Sequence, residues 1–387
     1  MSVPFLPYGR QEITEQDIDA VAAALRRPMI TQGETVPAFE AAFAQAVGAR
    51  HAIAFANGTG ALHAAAAVAG LGPGEAMLTT PVSFVASSNC ALFVGARPRF
   101  ADIDASGNLD TAAAVAAGLA DGVRAVLAVS LAGLPVDLEP LRPLRERGVV
   151  IIEDGCHALG GRRADEPVGA GGLADMACFS LHPVKSMTTG EGGVVTTNDD
   201  DLAEALTTFR THGMKRRRDD RDPLLGGWHY DIDTLGFNYR ITDFQCALGL
   251  SQLTRLPDWV RERNRVAATY RELLADVDGL TLPVEAGPGE VHGYHLFVVR
   301  FTEGARRRRF VFERLREAGI GTQLHYIPIP CHGLYRDLGY DGTLAGLPAA
   351  RAYYEQALSI PMFPAMSDGD IERVADDLKR LLAKPIR

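Results

Sequence analysis

The chain of 387 residues exceeds a single average domain, which favours one large domain joined to a smaller one. Its residues are 47% hydrophobic and 22% charged, so it can bury a large core without disulfide or metal staples. The formal net charge of -9 argues against a protein that wraps nucleic acid, while it is compatible with a local phosphate site.

Strand-like and helical segments alternate in the first half of the chain. Short apolar runs predict strands at residues 51–56, 76–80, 98–101, 124–129 and 149–153, and helical spacing predicts helices at 59–71, 84–94, 110–119 and 138–147. Two more strands follow at 176–180 and 193–197, and the acidic residues at 199–201 suit the start of another helix. This alternation predicts an α/β fold with a mostly parallel sheet that is covered on both faces.

The second half of the chain has a different pattern. Residues 213–230 have the character of an exposed loop, and a solvated loop is the simpler interpretation of its basic residues 215–218. A long helix over 242–275 is followed by predicted strands at 294–301 and 321–326 and by predicted helices at 306–318 and 368–383. We therefore predict a large domain over residues 1–255 and a smaller α+β domain over 256–387.

The cysteines and the N-terminal residues indicate the cellular compartment in which the protein is expected. The five cysteines are widely spaced and include no Cys-x-x-Cys pair, which favours reduced thiols and disfavours zinc. No basic stretch followed by a long apolar run opens the chain, and no apolar run approaches the ~18 residues of a membrane span. We therefore expect a cytoplasmic protein with no metal, no membrane and no nucleic acid among its partners.

A glycine turn lies between the first strand and its helix. The sequence Asn-Gly-Thr-Gly at residues 57–60 can direct several backbone N–H groups at one point, next to the positive end of a helix. Such a turn can hold a phosphate, although an ordinary strand-to-helix turn is the simpler interpretation of these residues alone.

A carboxylate ends the apolar strand at residues 149–153. Asp154 would lie at the carboxyl edge of the sheet, where open α/β sheets bind their ligands. A buried charge needs a partner, and the protonated ring nitrogen of a cofactor would be one. An Asp that caps a helix or closes a turn is the alternative.

One lysine lies among small, polar and glycine residues in the segment 179–193. A lysine in such surroundings, here Lys185, can have a lowered amine pKa and act as a nucleophile. Ser180 offers a hydroxyl for a phosphate, and Asn238 and Arg240 lie two residues apart, so both can face an anion. The alternatives are a surface lysine beside a glycine turn and a solvated arginine at a helix entry. Together these groups suit an aldehyde cofactor, which needs a lysine, an acid, a phosphate anchor and a stacking face.

The chain resembles the DegT/DnrJ/EryC1/StrS family of sugar aminotransferases, enzymes of fold type I that use pyridoxal phosphate (PLP). The resemblance rests on segments spread over nearly the whole chain: residues 30–33, 79–86, 153–160, 179–193, 211–214, 238–240 and 325–328. It implies the aspartate aminotransferase-like fold, with a seven-stranded sheet in the large domain. Within the family, the sequence motifs are most similar to those of the aminotransferases of pseudaminic acid synthesis.

The resemblance implies a role for each matching residue. Lys185 would hold the cofactor covalently and move a proton during the reaction, and Asp154 would pair with the ring nitrogen. The other implied cofactor contacts are Phe84 on the ring face, Gly58, Thr59 and Ser180 at the phosphate, His157 near the ring substituents and Asn238 from a second subunit. Implied substrate contacts are Tyr8, Thr31, Arg240, His325 and Tyr326.

The resemblance also implies the reaction and its partners. We expect an aminotransferase that moves an amino group from glutamate to C4 of a UDP-linked 4-keto-6-deoxy-N-acetylhexosamine, through PLP and pyridoxamine phosphate (PMP), in a homodimer with shared active sites. GDP-linked or dTDP-linked keto sugars are alternative substrates, and a PLP-binding regulatory protein without turnover is an alternative class. Related dehydratases replace the lysine by histidine, so Lys185 favours amino transfer. Leu181 replaces the second phenylalanine of the family's usual Phe-Ser-Phe-His sequence, and this replacement is conservative.

Overall fold

A computed structural model describes residues 4–119, 122–215, 226 and 228–385. Its strands are β1 (His51–Phe55), β2 (Ala76–Thr79), β3 (Arg97–Phe100), β4 (Val123–Val129), β5 (Val150–Asp154), β6 (Arg162–Arg163), β7 (Glu166–Pro167), β8 (Met176–Ser180), β9 (Gly193–Thr197), β10 (Met214–Lys215), β11 (Asp231–Ile232), β12 (Leu280–Thr281), β13 (Phe297–Phe301) and β14 (Ala357–Ile360).

The α-helices of the described chain lie before, between and after these strands. They are α1 (Glu15–Leu25), α2 (Thr35–Val47), α3 (Gly58–Val68), α4 (Ala86–Phe93), α5 (Thr111–Gly118), α6 (Arg142–Arg145), α7 (Asp200–Arg210), α8 (Asp243–Leu253), α9 (Leu256–Leu274), α10 (Ala305–Glu317), α11 (Gly333–Asp337), α12 (Pro348–Gln356) and α13 (Asp368–Leu382). Single 3-10 turns lie at Leu131–Gly133, Glu139–Leu141 and Ile329–Cys331.

The large sheet has seven strands in the order β1-β9-β8-β5-β4-β2-β3. The strands from β8 to β3 run parallel to one another, and β9 runs antiparallel to both of its neighbours. The predicted α/β class with a mostly parallel seven-stranded sheet is therefore confirmed.

The sheet is buried on both faces. Successive side chains of a strand point to opposite faces, and neighbouring residues of β4 and β5 accordingly join different apolar clusters. Leu127 and Ile152 pack into one cluster, while Val126 and Ile151 pack into another. Helices therefore cover both sides of the sheet, and the carboxyl edge of the parallel strands remains available for a site.

A second apolar core surrounds a three-stranded antiparallel sheet, β12-β13-β14. Phe297 and Phe301 of β13 pack there with residues of α9, α10 and α13. This arrangement agrees with the α+β pattern predicted for the C-terminal part, and the boundary at residue 255 stays a prediction.

Local side chains explain several helix starts. The side chain of Asp199 accepts hydrogen bonds from the backbone N–H groups of Asp201 and Leu202, and α7 begins where the acidic residues predicted it. Ser367 and Asp370 form a capping box at the start of α13.

Three elements differ from the sequence prediction. The helix predicted over 242–275 is two helices, since α8 ends at Leu253 and α9 begins at Leu256. Pro257 lies in the first turn of α9, where proline favours a helix start. The strand predicted at 321–326 is wrong: only Gln323 bridges to Ser359, and β14 supplies the third strand instead. The helix predicted at 138–147 is a 3-10 turn followed by the short α6.

Two short paired strands flank the predicted loop at 213–230: β10 lies at its start, and β11 follows directly after its end. Met214 pairs with Ile232, and Lys215 pairs with Asp231. Lys215 also forms an ion pair of 2.8 Å with Glu204. The remaining basic residues of this prediction, at 216–218, lie outside the described residues.

Candidate active site

A cavity of about 950 Å³ lies at the carboxyl edge of the large sheet. Its walls include residues at the ends of three adjacent strands: Val129 of β4, Asp154 of β5 and Ser180 of β8. The first residue of α3, Gly58, also lines it. This is the position at which open α/β sheets bind their ligands.

Lys185 reaches this cavity from the loop between β8 and β9. Its backbone N–H donates to the carbonyl oxygen of His182 at 2.9 Å, which fixes the turn that carries it. The amine forms no hydrogen bond or ion pair within the described part of the chain. Burial lowers the pKa of the Lys185 amine, and the neighbouring Cys156 and Asp154 oppose that effect. The site therefore favours a neutral, nucleophilic amine.

Asp154 ends β5 with its carboxylate buried in the cavity wall. One oxygen accepts a hydrogen bond of 2.7 Å from the Ser87 hydroxyl, and the other accepts one of 3.1 Å from the backbone N–H of Cys156. Both donors are uncharged, and no cation of the described chain lies within ion-pair distance of the carboxylate. Because a buried charge is costly without a partner of opposite sign, this carboxylate is suited to a cationic ligand atom.

The glycine turn predicted at residues 57–60 starts α3. The Asn57 side chain caps the helix by accepting from the Gly60 N–H at 2.8 Å. A Cβ atom on Gly58 would lie 2.9 Å from Cβ of Ser180, so only glycine allows the turn to approach the end of β8 this closely. Thr59 is exposed and lines the cavity beside them. A helix N-terminus next to two hydroxyl groups is suited to a phosphate.

Aromatic and imidazole rings form the rest of the wall. His157 is 4% exposed, and its Nε2 lies 3.1 Å from the hydroxyl oxygen of Tyr326. Phe84 is 57% exposed and lines the cavity, and its ring lies 6.2 Å from the Tyr326 ring. His325 lies 5.4 Å from the ring of Tyr8. Burial lowers the pKa of His157 well below its usual range and that of His325 to about 3, so both rings are neutral.

Most of the residues predicted from the sequence lie around this one cavity. They are Tyr8, Gly58, Thr59, Phe84, Asp154, His157, Ser180, Lys185, His325 and Tyr326. Three do not line it. Asn238 pairs with Thr211, Arg240 pairs with Phe55 and the exposed Thr31 pairs with Thr242, each through backbone bridges.

Ser87 and His295 belong to the site and were not predicted. Ser87 contacts Asp154, and the signal that could have indicated it is its position three residues after Phe84, at the start of α4. His295 is 4% exposed, its ring lies 4.4 Å from that of His157, and its Nδ1 has no hydrogen-bond partner. A histidine inside the apolar run before β13 was the available signal.

The donor set matches what PLP requires. Lys185 would supply an amine for the aldehyde, Asp154 a buried anion for the ring nitrogen, and Gly58 with Ser180 a phosphate cradle. No group of three or more His, Cys, Asp or Glu residues within the described ranges is arranged to hold a metal. None of the described helices is long and apolar enough to cross a bilayer.

Comparison with known sequences identifies relatives over almost the full length. The model of the DegT/DnrJ/EryC1/StrS aminotransferase family matches residues 11–379. The spore coat polysaccharide biosynthesis protein SpsC of Bacillus subtilis (strain 168) is 33% identical over 384 residues, which cover 98% of this chain and 97% of SpsC.

Solved structures agree with this match. PseC of Helicobacter pylori, an aminotransferase involved in the biosynthesis of pseudoaminic acid, is 29% identical with a TM-score of 0.88, over 98% of this chain and 99% of PseC. The Streptococcus pneumoniae protein Spr1654 is 26% identical with a TM-score of 0.89 in its PLP form, over 99% of both chains. It is also solved in its PMP form, with the same TM-score of 0.89. The predicted fold type I and the predicted cofactor, PLP with PMP, are confirmed.

Proposed function

The chain belongs to the DegT/DnrJ/EryC1/StrS aminotransferase family, and we propose that it transfers an amino group from glutamate to C4 of a UDP-linked 4-keto-6-deoxy-N-acetylhexosamine. The observation that carries the proposal is that the Lys185 amine, which has no hydrogen-bond partner among the described residues, lines the same cavity as the buried Asp154 carboxylate. A protein that only bound PLP as a sensor would not need a buried amine with a lowered pKa beside it.

The residues of the chain have distinct tasks in this reaction. Bound PLP supplies an aldehyde that accepts an amino group and a ring that withdraws electrons from the carbon whose proton is exchanged. Lys185 would move that proton, because it lines the cavity and burial lowers the pKa of its amine. Asp154 would pair with the protonated ring nitrogen, and Phe84 would support one face of the ring.

The size of the cavity supports a large second substrate. About 950 Å³ lies near the upper end of small-molecule sites, which span roughly 300–1,000 Å³. Room therefore remains for a sugar nucleotide after the cofactor is bound. The pathway named for the similar PseC supports a 4-keto sugar of the pseudaminic acid type. Tyr8, His325 and Tyr326 are our candidates for the sugar contacts.

We propose that a second copy of the chain completes the site. Phe237 and Tyr239 line the cavity, whereas Asn238 and Arg240, which alternate with them along the same extended segment, do not. In a homodimer, Asn238 would contact the phosphate of the other copy's cofactor, and Arg240 would contact the nucleotide diphosphate there. Thr31 would join the same shared region.

A substrate panel tests the proposal. Purified protein loaded with PLP is incubated with glutamate and, in turn, UDP-, GDP- and dTDP-linked 4-keto sugars and a 3-keto sugar, and product masses are recorded. The expected result is a mass consistent with replacement of the keto oxygen by an amino group, with the UDP-linked acceptor preferred. Preference for another nucleotide would correct the substrate, and amination of no keto sugar would overturn the proposal.

Two variants separate catalysis from mere binding. Lys185→Ala should abolish turnover, while Lys384→Ala, which removes an exposed lysine near the C-terminus, should leave it unchanged. In the wild type, glutamate alone should bleach the visible absorption of the lysine-bound cofactor. A regulatory binder would keep that absorption unchanged with glutamate.

A further inference from the structure

His157 has a fixed pattern of hydrogen bonds at both ring nitrogens. Its Nδ1 accepts from the backbone N–H of Ala132 at 3.3 Å, and its Nε2 lies 3.1 Å from the hydroxyl oxygen of Tyr326. A neutral imidazole has one N–H and one acceptor nitrogen. Because Nδ1 is the acceptor, the proton is on Nε2, and His157 donates to Tyr326.

The turn that carries Ala132 has a strained backbone, and its conformation directs the Ala132 N–H at His157. Ala132 has a φ of 59°, in the left-handed region that residues other than glycine rarely adopt. Its carbonyl accepts from the Leu296 N–H at 3.1 Å, and a Cβ on the next residue, Gly133, would lie 2.6 Å from the Tyr294 nitrogen. The turn is therefore held from both sides with its N–H directed at His157, and strain of this kind is a reason to look for a function.

The tautomer of His157 determines what the Tyr326 hydroxyl can do. Its oxygen accepts from His157, so its own proton is available to another acceptor, and no described residue takes it. Tyr326 lines the cavity, which is where that proton can find a partner. Burial raises the pKa of Tyr326, so the hydroxyl stays protonated and acts as a donor.

The strand order indicates which ligand atom lies there. β5, with Asp154, lies between β8, with Ser180, and β4, whose end leads into the Ala132 turn. In the pyridine ring of PLP, the phosphate arm and the ring hydroxyl lie on opposite sides of the axis that joins the ring nitrogen to the aldehyde. With the nitrogen at Asp154 and the phosphate toward Ser180, as proposed above, the ring oxygen faces the β4 side, where His157 and Tyr326 lie.

We propose that Tyr326 donates a hydrogen bond to the ring oxygen of the cofactor, and that Ala132 positions it by fixing the tautomer of His157. A donor at this oxygen stabilises its negative charge. It therefore lowers the pKa at which the lysine-bound cofactor loses its proton, and it keeps the cofactor reactive near neutral pH.

The first test is a spectroscopic titration of the resting holoenzyme. Tyr326→Phe removes the hydroxyl and keeps the ring, and it should raise the pKa read from the cofactor absorbance by roughly 1 to 2, the equivalent of one hydrogen bond to a charged group. Tyr239→Phe is the matched control, since it removes a phenol from the same cavity whose described hydrogen-bond partner is His63, and its titration should follow the wild type. An unchanged pKa in Tyr326→Phe, or an equal change in Tyr239→Phe, would overturn the proposal.

The second test reads the tautomer directly and needs no turnover. Nitrogen-15 NMR of the full chain with labelled histidine, assigned with His157→Gln, should show an unprotonated Nδ1 and a protonated Nε2 in His157. The reverse assignment would make Tyr326 the donor to His157 and would overturn the proposal. Neither test uses a sugar nucleotide, so a failed substrate panel leaves both results interpretable.

Discussion

The Ser87 hydroxyl donates a hydrogen bond of 2.7 Å to the Asp154 carboxylate, deep in the cavity wall. Since Ser87 uses its proton on Asp154, the 2.8 Å contact between Ser83 and Ser87 must have Ser83 as the donor. Both serines are buried, and the two hydroxyls form a short chain that ends on the carboxylate. The carboxylate is thus oriented by α4 before any ligand binds.

Breaking this chain should weaken both the fold and cofactor binding. Ser87→Ala removes a hydrogen bond to a buried charged group, so we expect the unfolding free energy of the apoprotein to fall by about 1–2 kcal/mol. We expect the PLP dissociation constant to rise roughly tenfold, as for other supporting partners of a site. Urea unfolding and equilibrium dialysis measure the two effects. Ser83→Ala, one step further from Asp154, should have the smaller effect on both; an equal loss in the two variants would contradict this account.

Capture of PLP by the apoprotein should depend on pH through Lys185. Burial lowers the pKa of its amine below the ordinary value of 10.5, so the neutral, reactive form persists to lower pH than in an exposed lysine. The rate at which the visible absorption of bound cofactor develops should therefore rise with a midpoint below 10.5. A free lysine derivative in the same buffers provides the reference. A midpoint equal to that of the free derivative would show that burial does not control this amine.

The same lowered pKa has a consequence for stability. A lysine whose pKa is lower in the folded state binds fewer protons there than in the unfolded chain, between the two pKa values. Protonation therefore favours unfolding as the pH falls through that window. Lys185→Met should remove this dependence in the apoprotein, and unfolding free energies measured at several pH values below 10.5 would show a flatter curve than the wild type.

Sequence patterns located the parts of the site that lie within one strand and its following turn. Asp154, Ser180 and Gly58 were predictable because each ends a strand or begins a helix at the carboxyl edge of a parallel sheet, and such edges converge. Strands β8 and β9 were predicted to the residue, since both are short buried runs bounded by polar or glycine residues.

Contacts between distant segments were not predictable in this way. Ser87 and Asp154 are 67 residues apart along the chain, and no local pattern pairs a serine of α4 with that carboxylate. His157 meets His295 only because the backbone of Gly293 and Leu296 bonds to the turn after β4. The break between α8 and α9 also escaped prediction, since apolar residues continue at helical spacing across it.

Close packing at Gly58 leads to a steric prediction. A Cβ at Gly58 would lie 2.9 Å from Cβ of Ser180, so Gly58→Ala should destabilise the protein by about 1–3 kcal/mol through overpacking. The double variant Gly58→Ala with Ser180→Gly removes the opposing atom and should recover much of that loss. Gly72→Ala is the control, because a Cβ there meets nothing within 4 Å. Urea unfolding of the apoprotein would measure all three, and equal losses in the single and double variants would contradict a steric origin.

Glu153, next to Asp154, should make stability fall as the pH rises. Burial raises its pKa to about 7, against the hydrogen bonds donated by Ser130 and the Gly169 N–H, whereas in the unfolded chain the value is 4.5. Between about pH 4.5 and pH 7 the folded state therefore binds a proton that the unfolded state lacks. The unfolding free energy falls by up to about 3 kcal/mol as the pH rises through this window. Glu153→Gln keeps the shape of the side chain and cannot ionise. The difference in unfolding free energy between this variant and the wild type should therefore shift in favour of the variant by about 1–3 kcal/mol between about pH 5 and pH 8. The exposed Glu146→Gln should show no such gain, and a difference from wild type that stays constant with pH in Glu153→Gln would refute the assignment of this cost to Glu153.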